Sequence, residues 1–230
     1  ASATGSAKTA MLNLMGDGND TDASRVASVF FNDQSATGAG KSLAGIEAYR
    51  ASNHATDPGG DLVFSTNLSG GSYVEKMRIH SEGFVTKPLQ PAFLVKLDGD
   101  QNNITAGGAS NTLVQFDDEV FDANSDFDTS NSRFTAPVTG KYLLTYMLRV
   151  HNLDEASTSW SVIMATSNRN ISAYYGPSAF DSDANYWTFT YTMVHDMDAN
   201  DLATVTVYQD GGTAQADISQ YSYFSGQLIS

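Results

Sequence analysis

Residues 133–150, RFTAPVTGKYLLTYMLRV, limit the possible folds more than any other stretch. They read as a short strand ending at Ala136, a tight turn over Pro137 to Gly140, and a long strand. Successive side chains of a strand leave on opposite faces. Tyr142, Leu144, Tyr146, Leu148 and Val150 therefore make one fully apolar or aromatic face. Leu143 and Met147 leave on the other, with Thr145 and Arg149 between and after them. A strand in a solitary sandwich buries one face and wets the other. Large apolar side chains on the second face imply a covering partner, because monomers avoid such patches. The expectation is a β-sandwich that self-associates through Leu143 and Met147 and works by recognition rather than chemistry.

Composition agrees with an all-β chain. The 230 residues suffice for one large or two small domains. Charged residues are only 17%, below the roughly 25% of average domains, so Gly, Ser, Thr and Asn must supply much of the polar surface. No long helical pattern appears. The formal charge is −14, and residues 91–230 hold 5 basic against 17 acidic side chains, a net −12. Such a chain repels phosphate backbones, so nucleic acid is not expected as a partner. There is no cysteine, which excludes a disulfide framework and Cys-based zinc sites. No apolar run approaches about 18 residues, so no membrane insertion is expected. No charged-then-apolar leader is seen. The chain begins at Ala1 rather than Met, which reads as a piece of a longer protein or a processed N-terminus.

Residues 1–88 read as short strands at 12–15, 26–31, 43–49, 62–66 and 73–79, separated by Gly-, Asn- and Asp-rich breaks. Each has little apolar content, and lone hairpins are marginal in water. A thin trimeric β-shaft, in which three chains share one core, accounts for this. Glu75-Lys76-Met77-Arg78-Ile79-His80-Ser81-Glu82-Gly83-Phe84-Val85 resembles a hairpin found near the ends of many phage tail-fibre and tail-spike proteins; a plain hairpin turning at Gly83 is the simpler reading. Pro88 and Pro91 mark a stiff linker.

Residues 91–230 read as ten strands: 92–97, 112–116, 119–121, 133–136, 142–151, 160–166, 170–174, 186–196, 203–208 and 221–229. Their number and spacing suit a jelly roll. Pro91-Ala92-Phe93, Val114-Gln115-Phe116-Asp117, Phe134-Thr135-Ala136-Pro137, Gly140-Lys141-Tyr142 and the closing Tyr223-Phe224-Ser225-Gly226-Gln227-Leu228-Ile229 follow one order. This resembles the globular head of complement component one q, a tumour-necrosis-factor-like trimeric jelly roll. The resemblance implies a homotrimer. Two features depart from it: Asn200-Asp201 stands where the family often has Gly-Asp, and no Gly-X-Y stalk precedes the head. The phage-type hairpin upstream favours a virion fibre over an animal secreted protein.

No enzymatic motif is present: no nucleophile elbow, phosphate loop or zinc-binding helix. His54, His80, His151 and His195 lack metal-ligand spacing and read as structural. Trp187, Phe189, Tyr191 and Met193 alternate on one strand face and read as core. If strands alternate in direction, one apex collects the connections 98–111, 122–132, 152–159, 175–185 and 209–220, while 117–118, 137–141, 167–169 and 197–202 lie at the base. The apex then gathers Asp154, Glu155, Asp181, Asp183 and Asp217 without any Lys or Arg. Tyr175 and Phe180, also assigned to an apex loop, could stack on sugars. So dense an acidic crown repels itself unless a cation sits there. The apex is therefore expected to be the receptor-binding face, with Ca²⁺ as an option and Asp181 and Asp183 as its ligands. The functional expectation is a non-catalytic virion attachment protein: a homotrimeric tail-fibre tip, joined to the rest of the fibre, that binds a bacterial surface glycan or protein. The alternatives are a secreted cellular module of the complement-head type and a polysaccharide-depolymerising tail spike.

Overall fold

The computed structural model describes residues 12–14, 25–33, 41–51, 59–68, 71–107 and 110–230, with the backbone alone at Lys41. The chain divides into two compact units, Ala1–Leu89 and Gln90–Ser230.

The first unit is an antiparallel meander of β1 (Arg25–Asp33), β2 (Lys41–Arg50), β3 (Gly60–Asn67), β4 (Tyr73–Ile79) and β5 (Val85–Thr86), each paired with the next. The segment expected at 12–15 differs. Leu12 to Leu14 are exposed and outside any strand, and Met15 lies outside the described residues. A run that short offers too few cross-strand pairs to hold a register. Val63 is the only buried hydrophobic side chain among this unit's described residues. Its face is otherwise closed by polar groups. Arg25 Nη1 donates to buried Glu47 at 3.0 Å, and the Ser65 and Tyr73 hydroxyls each donate to Glu47 at 3.3 Å. Arg78 donates from Nη1 to buried Asp61 at 2.8 Å and from Nε to Glu75 at 3.0 Å. The opposite face aligns Val29 with Ile46, Ile46 with Phe64 and Phe64 with Met77. Val29 and Ile46 remain exposed there. At the β4–β5 turn the Gly83 N–H donates to the His80 carbonyl at 2.8 Å, and the His80 N–H to the Phe84 carbonyl at 2.9 Å. Gly83 has φ +94°, a conformation that costs any residue with a Cβ.

The second unit is a sandwich of two six-stranded antiparallel sheets. The first runs β13 (Asn170–Tyr175), β12 (Ser157–Thr166), β15 (Leu202–Gly211), β10 (Arg133–Thr135), β9 (Phe127–Asp128), with β7 (Thr112–Leu113) also on β15. The second runs β14 (Ala184–Met197), β11 (Gly140–Leu153), β17 (Tyr223–Leu228), β6 (Ala92–Lys96), β8 (Asp118–Asp122), with β16 (Asp217–Ile218) also on β11. There are twelve strands among the described residues of this unit, not ten. The additions, β9 and β16, are two residues each, too short to show an alternation.

The core forms as the β11 pattern requires. Tyr142, Leu144, Tyr146, Leu148 and Val150 are all buried in one cluster with Trp160, Val162 and Met164 of β12 and Val205 and Val207 of β15. Phe93 anchors its aromatic centre, with ring centroids 4.8 Å from Phe134, 5.0 Å from Phe224 and 5.1 Å from Phe127. Gly226 is required beside it: a Cβ there would lie 2.5 Å from the Phe93 ring and 2.7 Å from Leu144. The face expected to be core on β14 is only partly so. Phe189 is buried and Tyr191 packs against the cluster, but Trp187 and Met193 are exposed. β14 is an edge strand, and its cover is uneven: Phe189, His195 and Met197 are buried on this face, whereas Trp187 and Met193 are not.

The strand directions correct the grouping of the loops. Because β8 pairs antiparallel to β6, with Asp118 beside Lys96 and Asp122 beside Phe93, it ends near the chain's entry into this unit. The Ala123 N–H donates to the Ala92 carbonyl at 2.9 Å. Residues 122–126 thus lie at the end that holds Ala92 and Ser230, not at the apex, and 117–118 lie toward the other end. Strand β9 restores the parity that the sequence reading missed. Residues 97–104, 154–156, 176–183 and 212–222 gather at the distal end.

Candidate functional site

The distal loops are held together by their own carboxylates. Asp100 accepts from the Gln220 N–H at 2.7 Å, and Asp217 from the Asn103 N–H at 2.7 Å. Asp183 accepts from the Glu155 N–H at 3.0 Å and Gln215 Nε2 at 2.7 Å. Asp154 accepts from the N–H groups of Ala156 at 2.8 Å and Thr213 at 2.5 Å, and from the Thr213 hydroxyl at 3.0 Å. Asp154 is buried. Burial works against its charge, but the bonds from Thr213 and Ala156 outweigh it and hold the carboxyl below the usual carboxylate range. The acidic crown is thus largely a set of loop staples, each satisfying backbone N–H groups that irregular chain leaves open. These donors offset part of the repulsion among the acids.

This changes how the expected site residues are read. Asp154, Asp183 and Asp217 carry structural hydrogen bonds. Glu155 supplies a backbone donor to Asp183 and is half-buried. Both oxygens of Asp183 accept hydrogen bonds, and no third His or carboxylate converges with it and Asp181 among the described residues, where the one such group is Asp61, His80 and Glu82. Tyr175 is not in a loop: it ends β13, packs on the core, and its ring lies 4.4 Å from Phe189. At the opposite end, burial and the neighbouring Asp122 raise the Asp126 carboxyl, against a hydrogen bond from Asn124. Asp122 accepts from the Phe127 N–H at 2.7 Å, so this acidic pair shapes a turn.

Phe180, Asp181 and Asp183 do come together. With Tyr186 and Trp187 they line an open concavity of about 590 Å³ over residues 179–187. A single 3₁₀ turn, Pro177–Ala179, starts the loop and buries Pro177. Phe180 packs against the core and stands 5.0 Å from the exposed Trp187 ring. Tyr186 is exposed beside them. A ring pair with accessible faces, bordered by carboxylates, suits stacking on a sugar or an apolar side chain combined with hydroxyl or amine hydrogen bonding. Trp187 escaped the sequence reading because alternation assigned it to the core.

Leu143 and Met147 lie on the outer face of the second sheet. The register there gives rows Val194–Leu143–Gln227–Ala92, Thr192–Thr145–Ser225–Leu94–Phe121 and Thr190–Met147–Tyr223. Val194 is 45%, Phe121 49% and Met147 36% exposed, and Leu143 is half-buried. Leu94, Phe121, Leu143 and Thr145 border a shallow groove of about 340 Å³. Arg149 continues this face beside Tyr186 and Tyr221, a grouping that only cross-strand register reveals.

A two-layer jelly roll with aromatic concavity and loop-borne polar groups defines a binding module. The chain belongs to the C1q domain family, whose model matches residues 92–229. Among solved structures it is similar to the globular domain of a zebrafish complement 1qA protein, at 22% identity and TM-score 0.44, over 61% of this chain and 98% of that one. It is also similar to murine APRIL at pH 8.5, at 12% identity and TM-score 0.44, over 61% of this chain and 99% of that one. Among the described residues no helix is long and apolar enough to cross a membrane.

Proposed function

We propose that this chain is a non-catalytic attachment protein, the homotrimeric tip of a phage tail fibre, and that it contacts a bacterial surface glycan or protein through residues 179–187. It works outside the cell as part of the virion, with residues 1–88 as the shaft module and 91–230 as the head. The carrying observation is the solvent-open pair Phe180–Trp187 with Tyr186 at its side and the exposed Asp181 on its rim. The sheet face around Leu143 and Met147 serves self-association. The Gly83 hairpin, with its resemblance to tail-fibre termini, supports the virion setting. Family membership supports a second reading, a secreted cellular C1q-type module that uses the same surface on another target.

Binding of the fluorescent chain to a bacterial panel and a glycan array tests the recognition surface. Trp187→Ala and Phe180→Ala are expected to weaken binding at least about tenfold while the assembled mass stays unchanged. Undiminished binding removes residues 179–187 from the function. Binding confined to animal glycans or proteins would favour the cellular module. Light scattering tests assembly: a particle of 24.6 kDa at micromolar concentration would reject the trimer, and Met147→Asp is expected to dissociate it, since an unpaired charge cannot be buried cheaply.

A further inference from the structure

One cation on the outer face of the second sheet, Arg149, has no counter-charge among the described residues. Arg149 follows Met147 by two residues on β11. Its guanidinium carbon lies 4.6 Å from the Tyr221 ring centre and 5.7 Å from that of Tyr186. Its Nε is shut off from solvent without a hydrogen-bond partner, and among the described residues no carboxylate pairs with it. Arg25, Arg78 and Arg169, by contrast, each reach a carboxylate. His151, next on the same face, stands edge-on to Tyr186 at 4.8 Å, and its Nε2 is likewise buried and unpartnered. The backbone supports the arrangement. The Arg149 N–H donates to the Ser222 hydroxyl at 3.0 Å, and its carbonyl accepts the Ser219 N–H at 2.8 Å, which fixes the segment bearing Tyr221.

We propose that Arg149 is the receptor on this face for a carboxylate from a second copy of the chain. The inference rests on the self-association reading. Side chains two apart on a strand are about 7 Å apart, and a stable interface covers about 800 Å² per partner. An interface over Leu143 and Met147 therefore covers Arg149 too. Burying that guanidinium without an anion is strongly unfavourable, so the covering surface must bring one. A second copy is suited to do so: residues 91–230 hold 17 acidic against 5 basic side chains. In a closed ring about one axis equal heights meet. Arg149 lies near the distal end of β11, toward loops that bear Asp98 and Glu155 and no Lys or Arg. Both tyrosine rings lie within cation–π distance of the guanidinium carbon, and a guanidinium can make a two-pronged carboxylate bond that lysine cannot copy.

The test uses sedimentation of the full chain as wild type, Met147→Asp, Arg149→Gln and Arg149→Lys. Both Arg149 variants are expected to weaken assembly at least about tenfold, because each strands or misaligns the incoming carboxylate. A wild type that stays monomeric, or a Met147→Asp that assembles like wild type, rejects the self-association reading and the inference with it. Assembly lost in Met147→Asp but unchanged in both Arg149 variants overturns the inference alone. Unchanged assembly with loss of acidic-glycan binding would assign Arg149 to a saccharide and also overturn it. Arginine labelling by phenylglyoxal, read by mass spectrometry, keeps the question open to decision if a variant misfolds. Arg149 is expected to be protected in the wild-type assembly and labelled in Met147→Asp; equal labelling in both overturns the proposal.

Discussion

The two units close a sheet face by opposite means. In the second unit, two sheets meet over Trp160, Phe93, Tyr142 and Tyr146, and the buried face is mainly apolar, with Gln209 and His195 among its few polar members. In the first, Arg25, Arg78 and Tyr73 lie over Glu47, Asp61 and Ser65, with Val63 as the buried hydrophobic residue. The difference teaches that buried surface is not one kind of stabilisation. Apolar burial gains with every methylene removed from water, whereas a paired and hydrogen-bonded charge roughly offsets its own desolvation and mainly penalises loss of a partner. The first unit is therefore expected to gain little from its closed face and to lose much from single polar changes.

The largest expected effect probes the apolar side of this contrast. Phe93→Ala should cost the second unit about 3–5 kcal/mol, as a large ring lost from a packed core does, read by thermal or denaturant unfolding. Glu47→Ala comes next, at about 2 kcal/mol of local stability in the first unit, read by amide exchange of β2 and β3; Glu47→Gln, which keeps some bonds, should cost less. If Glu47→Ala proved harmless, the polar network would be ornament and the contrast would fail. Asp154→Ala should cost about 1–2 kcal/mol by leaving the Ala156 and Thr213 N–H groups without their acceptor, with exchange rising at 211–213. Since the folded carboxyl is held low, its contribution is present above the unfolded value of about 3.9 and is lost as pH falls through the folded one.

The smallest expected effect is a pH slope. His195 is buried, and burial lowers its pKa, with the Arg169 charge adding and Asp196 opposing. Its Nε2 meets the Tyr191 hydroxyl at 3.0 Å. The folded state thus prefers neutral imidazole. Stability from this group is complete above the unfolded value of about 6.5 and declines below it until the folded value is passed. His195→Gln should flatten unfolding midpoints measured between pH 7.5 and 5; an unchanged slope would show that His195 binds protons equally in the folded and unfolded states.

What the sequence displayed was periodicity within a strand. The β11 alternation is plain because five large side chains repeat at every second position, and Gly83 is plain because a hairpin needs its φ. The concealed features depend on what lies across the sheet. Trp187 has the same spacing as Phe189, yet only Phe189 lies beneath the other sheet. The parity of the loops depended on β9, whose two residues leave no pattern. Asp154 and Asp181 are both loop acids in sequence, and only the fold separates the one that holds Thr213 from the one that faces solvent. Arg149, Tyr186 and Tyr221 are distant in the chain and become neighbours through two strand registers.

The carboxylate staples also decide which environments this fold tolerates. A disulfide-tied loop set depends on the oxidant level of its surroundings. Here loops as far apart in sequence as Asp100 and Gln220 are joined by a carboxylate and an amide, in a chain without sulfur cross-links. Reductant therefore has nothing to break. The distal end should assemble as well in a reducing cytoplasm as in an oxidising medium, and proton concentration, not redox potential, becomes the variable that loosens it.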